Sequence, residues 1–269
     1  MSLPISRLQQ ILASPARPFQ TGDYIRNGFD FMNKQFGLML GFTLINMGIS
    51  FGLQMIPLVG GVLSVFVGAV LAIGYAQFIY SNIKHGKTDF GEFFSGFNKI
   101  MPLVSTYLLT VLISIVALLP ALAAWYQAGV FDWIMEALAD YPYMEDLPLI
   151  TDTVNMPMFA LGLLLMILGV LVITILFSWS LFIVWFYETT PVEALRISQK
   201  LITRNWGSFV LFVVISGLIT VAGALLCCVG VLYALPAMSA AMFFSFADAT
   251  QLLNEPTDSD GDIIDHFIA

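Results

Sequence analysis

Charge is the scarcest resource in this chain. Of its 269 residues only 10% are Asp, Glu, Lys or Arg, against 59% hydrophobic. Soluble domains carry about 25% charged residues. A water-soluble fold of this length has no interior large enough for so much apolar side chain, which excludes water as the main solvent and leaves lipid. Cysteine is almost absent: Cys227 and Cys228 are the only two and are adjacent, which excludes a disulfide framework or a Cys-rich metal-ligand set. The two histidines, His85 and His266, are too far apart in sequence to form a zinc or nucleophile motif. Residues 1–35 lack a charged start followed by a continuous apolar core. No cleavable signal peptide is therefore predicted, and the first spanning helix is expected to direct insertion and to be retained.

What the chain does have is long apolar runs. A helix crosses the ~30 Å hydrocarbon layer with roughly 20 residues. Six stretches qualify, at 36–55, 58–80, 101–124, 158–187, 207–227 and 230–247, and none contains Asp, Glu, Lys, Arg or His. The fourth is longer than crossing requires and is expected to tilt or protrude. The net charge of −8 argues against a nucleic-acid partner, and its distribution says more than its sum. Arg7, Arg17, Arg26 and Lys34 precede the first span; Lys84, Lys87 and Lys99 lie between the second and third; Arg196, Lys200 and Arg204 lie between the fourth and fifth. With six spans, all ten basic residues fall on one side. The opposite side, chiefly 125–157, carries six carboxylates and no basic residue. Lys and Arg collect on the cytoplasmic face, so both termini are expected there.

Three short segments on that side read as amphipathic elbows. In TDFGEFFSGFNK (88–99), Phe90, Phe93, Phe94 and Phe97 fall at i, i+3, i+4 and i+7, one stripe of an α-helix. Asp89 and Glu92 have the spacing of a capping box. An aromatic face with a polar back suits the headgroup boundary, although the same stripe would also pack against the protein's own spans. In TTPVEALRISQKLITRNW (189–206), Thr190 is placed to cap, Pro191 suits the first helical position and Glu193 completes a capping box. In TGDYIRNGFDFMNKQF (21–36), Thr21 or Asp23 starts a helix with Ile25, Phe29 and Met32 on one side. Each elbow ends on a cation beside a span, Lys34, Lys99 and Arg204, and a long cationic side chain there rests its stem on apolar surface while its charge reaches water or lipid phosphate. These three are the candidate headgroup contacts.

A shift of 170 residues, with no gap, superposes Arg26 on Arg196, Lys34 on Arg204, Phe36 on Trp206, Gly37 on Gly207, Val59 on Val229 and Gly60 on Gly230. The repeated unit is an elbow, a span, a tight outer turn and a return span. It is parallel rather than inverted, which lowers the prior for an alternating-access transporter. The chain thus divides into a membrane domain, 1–247, built of modules 21–80, 88–187 and 190–247, and an acidic tail, 248–269, expected to be disordered. Small residues at four-residue steps (Gly37, Gly41; Gly48, Gly52; Ser64, Gly68, Ala72, Ala76) allow close helix approach. Pro120 and Pro236 are expected to kink or locally unwind spans three and six.

Candidate chemistry is sparse. An acid or base in mid-membrane marks function by default, and the spans hold none. Asn46 and Gln77 are placed to line a cavity, but interhelical hydrogen bonding is the role expected of them. Glu188 and Asp248, at inner span ends, are expected to pair with Arg196, Arg204 or nearby lysines. The outer loop reads as a short surface helix (Trp133, Ile134, Ala137, Leu138) and a Pro-rich acidic turn, expected to be a solvated face. The tail's DSDGD has a misplaced glycine and no closing Glu for a calcium loop. Its final IIDHFIA is apolar enough to touch a partner. No catalytic residue, metal site or cofactor is predicted.

The elbows DFGEFFSGF and EALRISQKLITRNWGSF and the small-residue last span ALPAMSAAMFFSFAD resemble those of uncharacterised bacterial six-span integral membrane proteins, similar to the membrane domain attached to some glycerophosphoryl diester phosphodiesterases. The resemblance implies a bacterial cytoplasmic membrane. The metal-binding catalytic domain of those enzymes has no counterpart here, so their activity is not implied. The expected fold is all-α, a polytopic bundle of six transmembrane helices with short interfacial helices. The leading functional expectation is a non-enzymatic structural or accessory module that contacts membrane lipids, with a protein partner at its transmembrane surfaces or tail. A transporter or flippase for a small or amphiphilic solute is second, and a membrane enzyme third.

Overall fold

The computed structural model describes residues 3–57, 59–140, 150–225 and 229–254. Cys227, Cys228, the acidic turn with Glu145 and Asp146, and the tail motifs DSDGD and IIDHFIA lie outside the described residues. The chain is an all-α polytopic membrane protein. Among the described residues six stretches are long and apolar enough to cross a membrane: Phe36–Gln54, Val59–His85, Phe90–Gln127, Met156–Phe186, Trp206–Leu225 and Gly230–Ala249. These match the six predicted spans.

In chain order the helices are α1 (Ile5–Ala13), α2 (Thr21–Lys34), α3 (Phe36–Gln54), α4 (Val59–Leu71), α5 (Gly74–His85), a 3₁₀ segment (Phe90–Lys99), α6 (Ile100–Gln127), α7 (Val130–Asp140) and α8 (Ile150–Thr153). There follow α9 (Met156–Phe177), α10 (Ser180–Phe186), α11 (Pro191–Thr203), α12 (Trp206–Leu225) and α13 (Val229–Ala249), with a 3₁₀ turn at Leu252–Asn254. The 170-residue shift reappears in the boundaries: α2 begins 170 residues before α11, α3 before α12 and α4 before α13.

Two sequence expectations are corrected. Helical geometry continues through both Pro120 and Pro236, so neither span unwinds at its proline. The interruptions fall instead at Ala72–Ile73, between α4 and α5, and at Ser178–Trp179, between α9 and α10. The long fourth run is therefore broken, and its C-terminal end is the separate helix α10. Second, the Phe-rich elbow is a ten-residue 3₁₀ helix, which has three residues per turn instead of 3.6. The tighter winding lines up Phe90, Phe93, Gly96 and Lys99. Gly96 sits where an added Cβ would come within 2.4 Å of the Val70 carbonyl oxygen, so only glycine lets the segment seat against α4.

Two compact units divide the chain. The first, Met1–Leu108 with Leu176–Ala269, has a recurring plan. Each elbow packs on a return helix: the 3₁₀ segment on α5, α11 on α10, and α2 on α13, the return helix of the last module. The three covered helices meet in an aromatic core, with Phe186 against Tyr80 on α5 (5.1 Å) and against Phe243 on α13 (6.0 Å). Phe93 is fully buried, stacked between Phe42 (4.4 Å) and Phe78 (4.2 Å). The Phe stripe is therefore divided between core and surface: Phe93 faces inward while Phe97 is 47% exposed.

α2 departs furthest from a flat interfacial elbow. It runs antiparallel along α13, with the Tyr24 hydroxyl donating to Asp248 (2.5 Å) at one end and the Tyr233 hydroxyl bonded to Asn33 (2.6 Å) at the other. Its buried face is Tyr24, Gly28, Phe31 and Met32, rotated from the predicted Ile25, Phe29 and Met32. Gly28 sets this rotation: a Cβ there would lie 2.4 Å from the Ala237 oxygen and 2.9 Å from the Ala241 Cβ. No side chain caps α2, whose N-cap is Gln20. The α11 capping box forms as predicted, with Thr190 accepting from the Glu193 amide and Glu193 accepting from the Thr190 amide.

The N-terminal segment is fastened across this unit. Leu3 forms a parallel bridge with Tyr187. The guanidinium of Arg204 donates to the carbonyls of Ile11 (2.9 Å) and Ser14 at the end of α1. Arg17 pairs with Asp248 (3.7 Å), so the partner of Asp248 is Arg17 rather than the predicted Arg196 or Arg204.

The second unit, Leu109–Ile175, is a helical hairpin closed by α7. Gly162 lies against Trp125, whose indole N–H donates to the Phe159 carbonyl (3.3 Å). Ala128, Val130 and Val154 form its small core, with Trp133 packed against it. The predicted outer helix is thus present, with Trp133 turned inward and Leu138 exposed.

A candidate headgroup cleft

A polar concavity in the first unit lies where α5, the 3₁₀ segment and α10 meet, a cleft of about 340 Å³ lined in part by Gln77, His85, Lys87, Glu92, Lys99 and Trp185. It is built on a chain of hydrogen bonds. The indole N–H of Trp185 donates to Gln77 Oε1 (2.8 Å), and the Gln77 amide donates to Glu92 Oε2 (3.0 Å). The Ser95 hydroxyl donates to the same carboxylate oxygen (3.5 Å), and Lys87 Nζ lies 3.5 Å from the other. Lys99 completes the array. Its ammonium lies 5.4 Å from the centre of the Trp185 ring and donates to the Trp185 carbonyl (3.4 Å). A cation over an indole face gains about 0.5–2 kcal/mol, so Lys99 is held in place at the cleft.

Local sequence explains each placement. The three-residue winding carries Lys99 round to the same edge as Phe93 and Gly96, the two buried positions of its segment. Asp89 caps that segment by accepting from the Gly91 amide (2.9 Å). Glu92 is thereby released from the predicted capping box and turns into the cleft, its side chain only 15% exposed. Trp185 occupies the last turn of α10, the short helix made by the break at Ser178–Trp179.

Of the residues singled out in the sequence, Gln77 and Lys99 come together here. Asn46 is half-buried on α3 and is not part of the cleft lining. Lys34 is exposed at the end of α2. Arg204 is engaged with the end of α1. Glu92, Lys87 and Trp185 were missed as site residues. For Glu92 the available signal was the choice between capping and facing inward, which the spacing alone does not decide. Trp185 lay unmarked in the longest apolar run.

Burial, then the hydrogen bond with Asp248, raise the Tyr24 phenol above its ordinary value. Backbone and then side-chain hydrogen bonds from Thr190 lower the Glu193 carboxyl. Among the described residues no group of three or more His, Cys, Asp or Glu side chains converges as a metal site.

No protein-family model matches the chain, nor does any curated protein or solved structure.

Proposed function

We propose that this integral membrane protein is a non-enzymatic module that contacts lipid headgroups through its cationic elbows, in the cytoplasmic membrane of a bacterium. The observation that carries the reading is the position of Lys99, fixed over Trp185 beside an open polar cleft, one residue before the exposed apolar positions Ile100 and Met101. A cation at the start of a span, with apolar surface following it, suits the boundary between phosphate and acyl chain. Near an anionic leaflet each such residue contributes about 1 kcal/mol. Lys34, exposed at the end of α2 and at the start of the first span, has the same placement. The likeness of the elbows to the membrane domain of glycerophosphoryl diester phosphodiesterases supports the bacterial setting.

The test is lipid-dependent stability in nanodiscs. With phosphatidylglycerol added to phosphatidylcholine the apparent melting temperature is expected to rise, and Lys34→Glu with Lys99→Glu is expected to abolish the rise. Equal melting in both lipids, or an unchanged response in the double variant, would refute the reading.

A second reading, a carrier for an amphiphilic solute, draws on a separate cleft of about 290 Å³ lined by Tyr75, Phe182, Ser216, Met238 and Met242 among others. The Ser216 hydroxyl is buried with no hydrogen-bond partner among the described residues. Lipid-scrambling activity in proteoliposomes, lost on Met238→Trp, would favour it.

A further inference from the structure

We infer that the cleft between α5, the 3₁₀ segment and α10 receives the headgroup of an amine-bearing phospholipid, with the ammonium at Glu92 and the phosphate at Lys99. The inference rests on the lipid-contact reading above and names the ligand class. A site for a purely anionic group would hold its cations deep. Here the sheltered charge is a carboxylate: the Glu92 side chain is 15% exposed, whereas its partner Lys87 is 58% exposed and reaches in from the rim. Their 3.5 Å separation is longer than the roughly 2.7–2.9 Å of a tight charge-assisted bond. The ion pair is loose and open to replacement by a ligand ammonium, which frees Lys87 to join Lys99 on a phosphate.

The frame around Glu92 is already assembled. Gln77 accepts from Trp185 and donates to Glu92, and Ser95 donates to the same oxygen. Trp185 in turn holds Lys99 by its ring and its carbonyl. Trp185 thus positions Lys99 directly and Glu92 through Gln77, which sets an ammonium and a carboxylate in one cleft, as a zwitterionic headgroup requires. A primary ammonium has three donors for the carboxylate, whereas a trimethylammonium has none, so Glu92 distinguishes the two headgroups. The exposed Phe97, Ile100 and Met101, on and just after the 3₁₀ segment, favour a lipid over a free phosphoamine, because they offer apolar surface for acyl chains.

The experiment uses the full chain in mixed micelles, with retained lipids counted by native mass spectrometry. Phosphatidylethanolamine and phosphatidylcholine of identical acyl chains are compared at equal mole fraction. The unsubstituted protein is expected to retain the ethanolamine lipid about tenfold better, the scale of hydrogen bonding to a charged group. Glu92→Gln is expected to reduce that preference to parity, and Lys99→Ala to weaken retention of both lipids. Equal retention by the unsubstituted protein would overturn the inference and needs no variant to fold. So would a preference that survives Glu92→Gln in protein of unchanged melting temperature. Full displacement by an equimolar amount of water-soluble phosphoethanolamine would overturn the lipid as the source of the group. A phosphatidylglycerol response without an ethanolamine preference overturns this inference alone. Loss of both effects overturns the lipid-contact reading as well.

Discussion

Gly28→Ala adds one methyl group at the closest approach of α2 to α13. The new Cβ would lie 2.4 Å from the Ala237 oxygen, whereas ordinary contact starts near 3.4 Å, so the helices must part by about 1 Å or rotate. The obstructing atoms include backbone of a buried helix, which cannot swing aside as a side-chain tip does. Overpacking of this kind costs about 1–3 kcal/mol. Alanine returns up to about 1 kcal/mol of helix propensity, leaving a net loss of roughly 1–2 kcal/mol. Parting the helices also loads the hydrogen bonds at either end, Tyr24 to Asp248 and Tyr233 to Asn33. At roughly 2–4 °C per kcal/mol for a large domain, the apparent melting temperature is expected to fall by about 2–8 °C. Scanning fluorimetry in one detergent measures it. Gly22→Ala is the internal control: it lies in the same helix with nothing within 4 Å of the added methyl, so the melting temperature should hold or rise. If the two variants melt alike, at or above the parent, α2 does not pack on α13 as described.

Three further outcomes follow from the same contacts. Arg204→Lys is expected to loosen α1 even though charge is kept, because one ammonium does not reproduce a planar fork that serves the carbonyls of Ile11 and Ser14; hydrogen exchange over residues 5–14 should quicken, and unchanged protection would show that the fork is dispensable. Trp185→Phe removes the indole donor to Gln77 and should destabilise by about 1 kcal/mol, measured by the same melting assay, with Lys99 more reactive toward amine-modifying reagents. Glu193→Gln tests the capping box by pH. The folded Glu193 carboxyl titrates below its ordinary value, so its contribution is present above the unfolded value of about 4.3 and is lost as pH falls through the lowered folded value. The gap in melting temperature between parent and variant should close on acidification through that window, and a gap that widens would contradict the assignment.

Much of the architecture was legible because lipid imposes simple rules. Runs free of ionisable residues had to be spans, and the α11 cap was readable since Thr190, Pro191 and Glu193 act within one turn. The 170-residue shift located the α2/α11, α3/α12 and α4/α13 starts, which depend on local signals. What the sequence did not disclose depends on contacts distant in the chain. The breaks at Ala72–Ile73 and Ser178–Trp179 carry no proline, whereas Pro120 and Pro236 sit within continuous helices, so proline did not mark where the spans unwind. The Phe spacing in 90–97 satisfies an α-helical stripe, and nothing local announces that Gly96 must meet Val70 and draw the segment into tighter winding. The cleft inherits that difficulty. Gln77 and Lys99 were recognisable as polar groups beside spans, but their meeting depends on Trp185, 108 residues from Gln77.

The account depends most on which side of the membrane bears the cations. With Cys227 and Cys228 replaced by serine, single cysteines at Arg196 and Glu136 can be challenged with a membrane-impermeant maleimide on intact and on disrupted cells. Arg196→Cys is predicted to react only after disruption, and Glu136→Cys already in intact cells. Labelling of Arg196→Cys from outside would place the elbows and the headgroup cleft on the wrong leaflet and contradict the account.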